Sequence, residues 1–97
     1  LKAIERGIFM ELKNVMEEEV KRIVEEILKD RDDICTCERC KKDIAAIVLN
    51  NIKPKYVVTE KGEVYARINM LSYQYDADIT MEVMKAIKIV GENPNHE

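Results

Sequence analysis

Three cysteines, Cys35, Cys37 and Cys40, lie close together in a chain of 97 residues. Cys37 and Cys40 form a Cys-x-x-Cys pair, and Cys35 can add a third sulfur from the chain that enters the same turn. Soft thiolates at this density favour zinc or an iron–sulfur cluster. A cluster normally takes four cysteines, so zinc is the better candidate. The single histidine, His96, is the candidate fourth ligand of a closed, structural Cys3His site.

The residues alone leave other roles for these side chains open. His96 follows Pro94 in a terminal tail, and an exposed histidine there can equally have no function. A Cys-x-x-Cys pair can also be a redox dithiol, but the βαβ pattern that usually accompanies one is absent. A cysteine nucleophile would need a histidine base, and His96 is the only histidine. The sequence therefore predicts a metal site in a protein that is not an enzyme.

Basic residues gather beside the cysteines. Arg39, Lys41 and Lys42 stand at the start of a predicted helix, where backbone N–H groups attract anions. Tyr56, further along, could stack on a base. These four residues are weak candidates for binding a small phosphate-bearing ligand. The alternative is that they are ordinary solvated side chains.

Composition excludes several classes of protein. Lys and Arg total 16 and Asp and Glu total 19, for a net charge of −3, so bulk nucleic-acid binding is not expected. No apolar run approaches the roughly 20 residues that span a bilayer. The first residues lack the pattern of a signal peptide, so we expect a cytoplasmic protein with reduced thiols. The length predicts one domain.

Apolar spacing predicts the elements that position the cysteines. One helix is expected from about Val15 to Asp30 with Asn14 as its N-cap. A second is expected from about Glu38 to Asn51 with Thr36 as its candidate N-cap. Residues 55–59 are the only stretch with strong strand propensity, and they have no obvious pairing partner. Residues 63–90 are predicted to form one helix or two, with a bend at residues 73–76 and Gly91 as the C-cap. Residues 1–11 form an N-terminal extension with apolar residues at helical spacing.

The predicted fold is therefore a small all-α domain of three to five helices. It has a short extended connector, and bound zinc stabilises the turn that carries the three cysteines. The high apolar content (46% of residues) and two long amphipathic stretches leave more apolar surface than so few elements can bury. A homodimer is expected for this reason.

Five segments resemble the late-competence ComFB family: residues 12–18 (LKNVMEE), 35–43 (CTCERCKKD), 44–50 (IAAIVLN), 54–59 (PKYVVT) and 93–96 (NPNH). The resemblance covers residues 12–96. It implies a small helical bacterial domain that dimerises and holds a structural zinc at the cysteine turn, with His96 in place of the further cysteine that other members use. Some relatives are described as receptors for cyclic dinucleotides, which makes such a receptor the alternative function.

Overall fold

Four helices and two short strands make up the part of the chain that the structure describes. The structure is a computed structural model that describes the backbone of residues 9–92 and the side chains of residues 11–72 and 74–92. In chain order the elements are β1 (Phe9–Asn14), α1 (Val15–Leu28), α2 (Glu38–Leu49), β2 (Tyr56–Thr59), α3 (Glu60–Asn69) and α4 (Tyr73–Glu92). The prediction of a small, mostly helical domain with three to five helices is confirmed. Over the described residues, no helix is both long and apolar enough to cross a membrane.

Helix α1 begins where the sequence predicts it. Asn14 has extended backbone angles, and its side-chain oxygen accepts a hydrogen bond from the Met16 N–H at 3.1 Å. The same oxygen accepts a second bond from the Lys55 N–H at 2.9 Å. Asn14 therefore caps the helix and also ties its start to the chain that enters β2.

The core lies between α1, α2 and α4, with the most extensive packing between α2 and α4. Apolar residues at steps of three and four supply it, as expected for amphipathic helices that share one core. The buried side chains are Val15, Met16, Val20, Ile23, Val24, Leu28, Cys40, Ile44, Ala45, Val48, Ala66, Met70, Ile79, Val83, Ala86, Ile87 and Val90.

The two strands pair with each other, which corrects two predictions. β1 and β2 form an antiparallel two-stranded sheet in which Lys13 faces Val57 and Asn14 faces Tyr56, with an irregularity toward Phe9. The stretch 55–59 thus has a partner after all. From Phe9 onward the extension is a strand rather than a helix, because pairing with β2 satisfies its backbone groups. Residues 1–8 lie outside the described residues.

The long second half of the chain is two helices, and the break falls earlier than predicted. α3 ends at Asn69 and α4 starts at Tyr73, so residues 70–72 make the turn instead of 73–76. The Ser72 hydroxyl accepts a hydrogen bond from the Tyr75 N–H at 3.0 Å, as an N-cap side chain does. Gly91, expected as a C-cap, still belongs to α4, which runs to Glu92.

Candidate metal centre

The cysteine turn is built by the start of α2. The chain leaves α1 at Leu28, crosses a polar connection and enters α2 at Glu38. Cys37 is the N-cap residue of α2, with extended backbone angles of −69° and 166°, and Cys40 lies in the first turn of the helix. The sequence had suggested Thr36 as the cap, one residue too early. This arrangement brings Cys35, on the approach, next to the two cysteines of the helix start.

The three sulfurs converge. The Sγ atoms of Cys35, Cys37 and Cys40 all lie within 4.8 Å of one another. Tetrahedral zinc holds each sulfur at about 2.3 Å, so three thiolates on one ion stand roughly 3.8 Å apart. Small side-chain rotations would bring the sulfurs from the observed spacing onto a common ion. The donor set therefore fits a soft metal ion.

Burial differs sharply among the three thiols. Cys37 is exposed, Cys35 is half-buried, and Cys40 is only 1% exposed within the core. The backbone N–H of Cys40 and the neighbouring thiol of Cys35 lower the pKa of Cys37. Burial is the largest cause, and together with the neighbouring sulfurs of Cys35 and Cys37 it raises the pKa of Cys40 to about 12. A bound cation would remove this mutual repulsion, because a thiol that coordinates a metal gives up its proton.

The basic residues beside the turn are largely matched by carboxylates. Lys41 Nζ lies 2.6 Å from a Glu25 carboxylate oxygen of α1, an ion pair that joins the two helices. Arg39 faces Asp43 at 3.6 Å within α2. Lys42 is exposed and lines a cleft of about 250 Å³ that Lys41 and Glu25 also line.

Tyr56 does not lie beside the basic residues at the start of α2. It lies on β2, is exposed, and is not among the residues that line the Lys42 cleft. The structure thus brings Arg39, Lys41 and Lys42 together on one helix start but leaves Tyr56 elsewhere. Binding of a small anionic ligand by these four residues stays a prediction, and no contact in the described residues favours it.

The end of α4 lies beside the cysteine turn. A Cβ placed on Gly91 would stand 3.2 Å from Cγ2 of Ile34, the residue that precedes Cys35. Gly91 lets the two segments approach this closely because it has no side chain. Its position near the end of a periodic helix suggested a cap instead. His96 lies outside the described residues, so its role as a ligand stays a prediction.

These features define a small helical domain in which a turn of three cysteines joins two core helices beside the end of a third. The family profile of late competence development protein ComFB matches residues 13–94 of the chain. The chain therefore belongs to the ComFB family.

Individual relatives agree with this assignment. The chain is 25% identical over 84 residues to competence protein ComFB of Bacillus subtilis (strain 168), an alignment that covers 87% of this chain and 86% of that protein. It also resembles a solved structure of the late competence protein ComFB from Bacillus subtilis, with a TM-score of 0.78 and 25% identity. That match covers 88% of this chain and 93% of the solved one.

Proposed function

We propose that this protein is a non-enzymatic late-competence module of the ComFB type, stabilised by zinc, that acts as a homodimer in protein interaction or regulation. The observation that carries the proposal is the convergence of the Cys35, Cys37 and Cys40 sulfurs within 4.8 Å. A Cys-rich site of this kind holds zinc in a closed, structural role. Metal bound there links the polar connection after α1 to the first turn of α2.

The fourth ligand is proposed to be His96. Gly91, five residues before it, contacts Ile34 beside the first cysteine. The four residues from 93 to 96 can span at most about 14 Å beyond Glu92, which limits how far from the end of α4 His96 can bind a metal. A zinc ion bound by His96 and by the three cysteines would then connect the C-terminal tail to the cysteine turn.

Metal analysis tests this site. We expect about one zinc per chain in the protein as purified, and Cys37→Ser should remove most of it. His96→Ala should weaken zinc affinity at least tenfold, measured by competition with a chelating dye. Thr36→Ala, which changes the same turn without removing a donor, is the matched control and should leave zinc content unchanged. Equal zinc affinity in wild type and His96→Ala would exclude the histidine, and a zinc-free protein would exclude the metal centre.

The dimer is proposed to form through α3 and the outer face of the sheet. Of the ten residues of α3, all of them described, Ala66 alone is fully buried. Large apolar side chains are exposed on α3, just after it and on the adjacent strands: Leu12, Tyr56, Val58, Val64, Tyr65, Ile68 and Leu71. We call this set the α3 face. Where exposed apolar side chains adjoin, they are typical of an interaction site.

Light scattering coupled to size-exclusion chromatography tests the dimer. Ile68→Glu places a charge on the α3 face and should raise the dimer dissociation constant at least tenfold. Ile89→Glu, on α4, is a matched control because the two isoleucines are 54% and 53% exposed. It should leave the dimer intact. A wild-type protein that is monomeric at micromolar concentration would refute the dimer. Equal effects of Ile68→Glu and Ile89→Glu on the dissociation constant would show that the α3 face is not the interface.

A further inference from the structure

We propose that the cysteine turn is also an oxidation site, at which peroxide oxidises Cys37 and Cys40 then closes a disulfide with it. The disulfide takes two of the three sulfurs away from a metal ion. The release of metal rests on the proposed zinc site, whereas formation of the disulfide does not. The proposal concerns a chemical modification of this protein and not catalysis on another substrate.

The order of reaction follows from exposure. Cys37 is the exposed thiol, Cys35 is half-buried, and Cys40 is almost fully buried. A peroxide that arrives from solvent therefore meets Cys37 first. Cys37 lies at the N-cap, with extended backbone, while Cys40 is held by the first helical turn. The side chain that must move is thus the one outside the helix.

The separation of the sulfurs suits this step. All three Sγ atoms lie within 4.8 Å of one another, and a disulfide needs about 2.05 Å. The remaining approach, at most about 2.8 Å, is small enough for rotation of side chains without unfolding of α2. Cys37 and Cys40 are separated by two residues at a helix start, the spacing of the redox-active Cys-x-x-Cys pairs.

The chemistry balances with hydrogen peroxide as the oxidant. The Cys37 thiolate attacks one peroxide oxygen, the O–O bond breaks, and the departing hydroxide takes up a proton to form water. The Cys40 sulfur then attacks the sulfenic sulfur of Cys37, the S–O bond breaks, and the second hydroxide takes the thiol proton. Overall, two thiols and one peroxide give one disulfide and two waters, with two electrons passed from sulfur to oxygen.

The disulfide removes Cys37 and Cys40 from the proposed metal site. Cys35 and the proposed ligand His96 cannot by themselves hold an ion that needs four ligands in a closed site, so the metal leaves when the disulfide forms. Because metal binding is coupled to folding, its departure also withdraws stabilisation from the turn. That turn connects α1 to α2, and its residue Ile34 lies beside Gly91 of α4. Oxidation therefore destabilises the place where these three helices meet.

Peptide mapping of the full chain tests the disulfide directly. Zinc-loaded protein is treated with hydrogen peroxide, blocked with N-ethylmaleimide and digested with trypsin, which cleaves after Arg39 and so separates Cys37 from Cys40. We expect residues 32–39 to be joined to residues 40–41 by a disulfide. The same linkage should form in Cys35→Ser, which identifies Cys37 as the partner. A disulfide confined within residues 32–39, or a sulfinic acid at Cys37 without any disulfide, would overturn the proposal.

Metal release is followed in the same samples with a chromophoric zinc chelator. We expect release of the bound zinc in step with the disulfide, with about one zinc ion released for each disulfide formed. Disulfide formation with zinc retained would overturn the coupling. Protein that contains no zinc before oxidation would refute the proposed metal centre, and the peptide map would still decide the disulfide.

Discussion

Arg67 offers the sharpest test of how α3 is held to the rest of the protein. Its guanidinium contacts three carboxylates: Glu63 Oε2 at 2.8 Å, Glu19 Oε2 at 3.1 Å, and Glu18. Lys13 of β1 joins the same group through Glu63 at 3.0 Å. Because α3 buries little apolar surface, we infer that this charged cluster supplies much of its attachment to α1 and β1.

The expected cost of Arg67→Met follows from the exposure of its partners. Glu19 and Glu63 are 19% and 20% exposed, and each accepts a charge-assisted bond that contributes roughly 1 kcal/mol. Glu18 is 57% exposed and adds a few tenths of a kcal/mol. Methionine retains the apolar stem but removes the charge. We therefore expect a loss of about 2 kcal/mol in the free energy of unfolding at low salt.

Arg22→Met is the matched control. Arg22 pairs with Glu19 at 2.8 Å and Glu26 at 2.9 Å, but all three residues belong to α1. Pairs within one helix contribute only about 0.2 to 0.5 kcal/mol each, so the control should lose less than about 1 kcal/mol. Urea unfolding of both variants, at 50 mM and 1 M NaCl, measures the difference. If Arg67→Met costs no more than Arg22→Met, the idea that Arg67 fastens α3 is wrong.

Arg67→Met should also change how the stability of the protein depends on pH. Lys13 and Arg67 hold the pKa of Glu63 below its ordinary value of 4.5. A carboxyl with a depressed pKa in the folded state stabilises the fold above its unfolded pKa, and that stabilisation is lost as pH falls through the folded value. Wild type should therefore lose stability as the pH falls below about 4.5, and Arg67→Met should show a shallower loss over the same range.

Other substitutions test separate parts of the fold. Asn14→Ala should lose about 1 to 2 kcal/mol in urea unfolding, because the hydrogen bonds from Met16 and Lys55 lose their acceptor, whereas Asn14→Asp should retain most of the stability. Ile44→Ala, at a fully buried position of α2, should cost about 2 to 5 kcal/mol by calorimetry. Burial raises the pKa of Tyr75 above its ordinary value of 10.0, so an ultraviolet titration of wild type should show a late step that is missing in Tyr75→Phe. A wild-type titration without that late step would contradict the placement of Tyr75.

Local patterns in the sequence were sufficient for the parts of the fold that local interactions decide. α1 and α2 fall where apolar spacing places them, and Asn14 caps α1 as its residue type suggests. The closeness of the Cys37 and Cys40 sulfurs also follows from spacing, since the Cys-x-x-Cys pair spans a single turn at the start of α2. These features depend on residues a few positions apart, so each can be read without knowledge of the fold.

Features that depend on distant residues were missed for the same reason. The partner of β2 is β1, more than 40 positions away, and nothing within either strand identifies the other. Phe9 and Leu12 fit a helical spacing in the sequence, and the pairing of β1 with β2 overrides it. The break before α4 had a local signal in Ser72, a good N-cap type, but the continuous apolar periodicity on both sides concealed it.

Metal at the cysteine turn would act on the whole domain and not on a surface loop alone. Cys40 is a member of the hydrophobic core, packed among residues of α1, α2 and α4. Ile34, one position before Cys35, packs against that core and lies against Gly91 of α4. An ion that fixes Cys35 and Cys40 relative to each other thus also fixes the connection after α1 relative to two further helices. Because binding energy at such a site is folding energy, removal of the ion should loosen all three helices together.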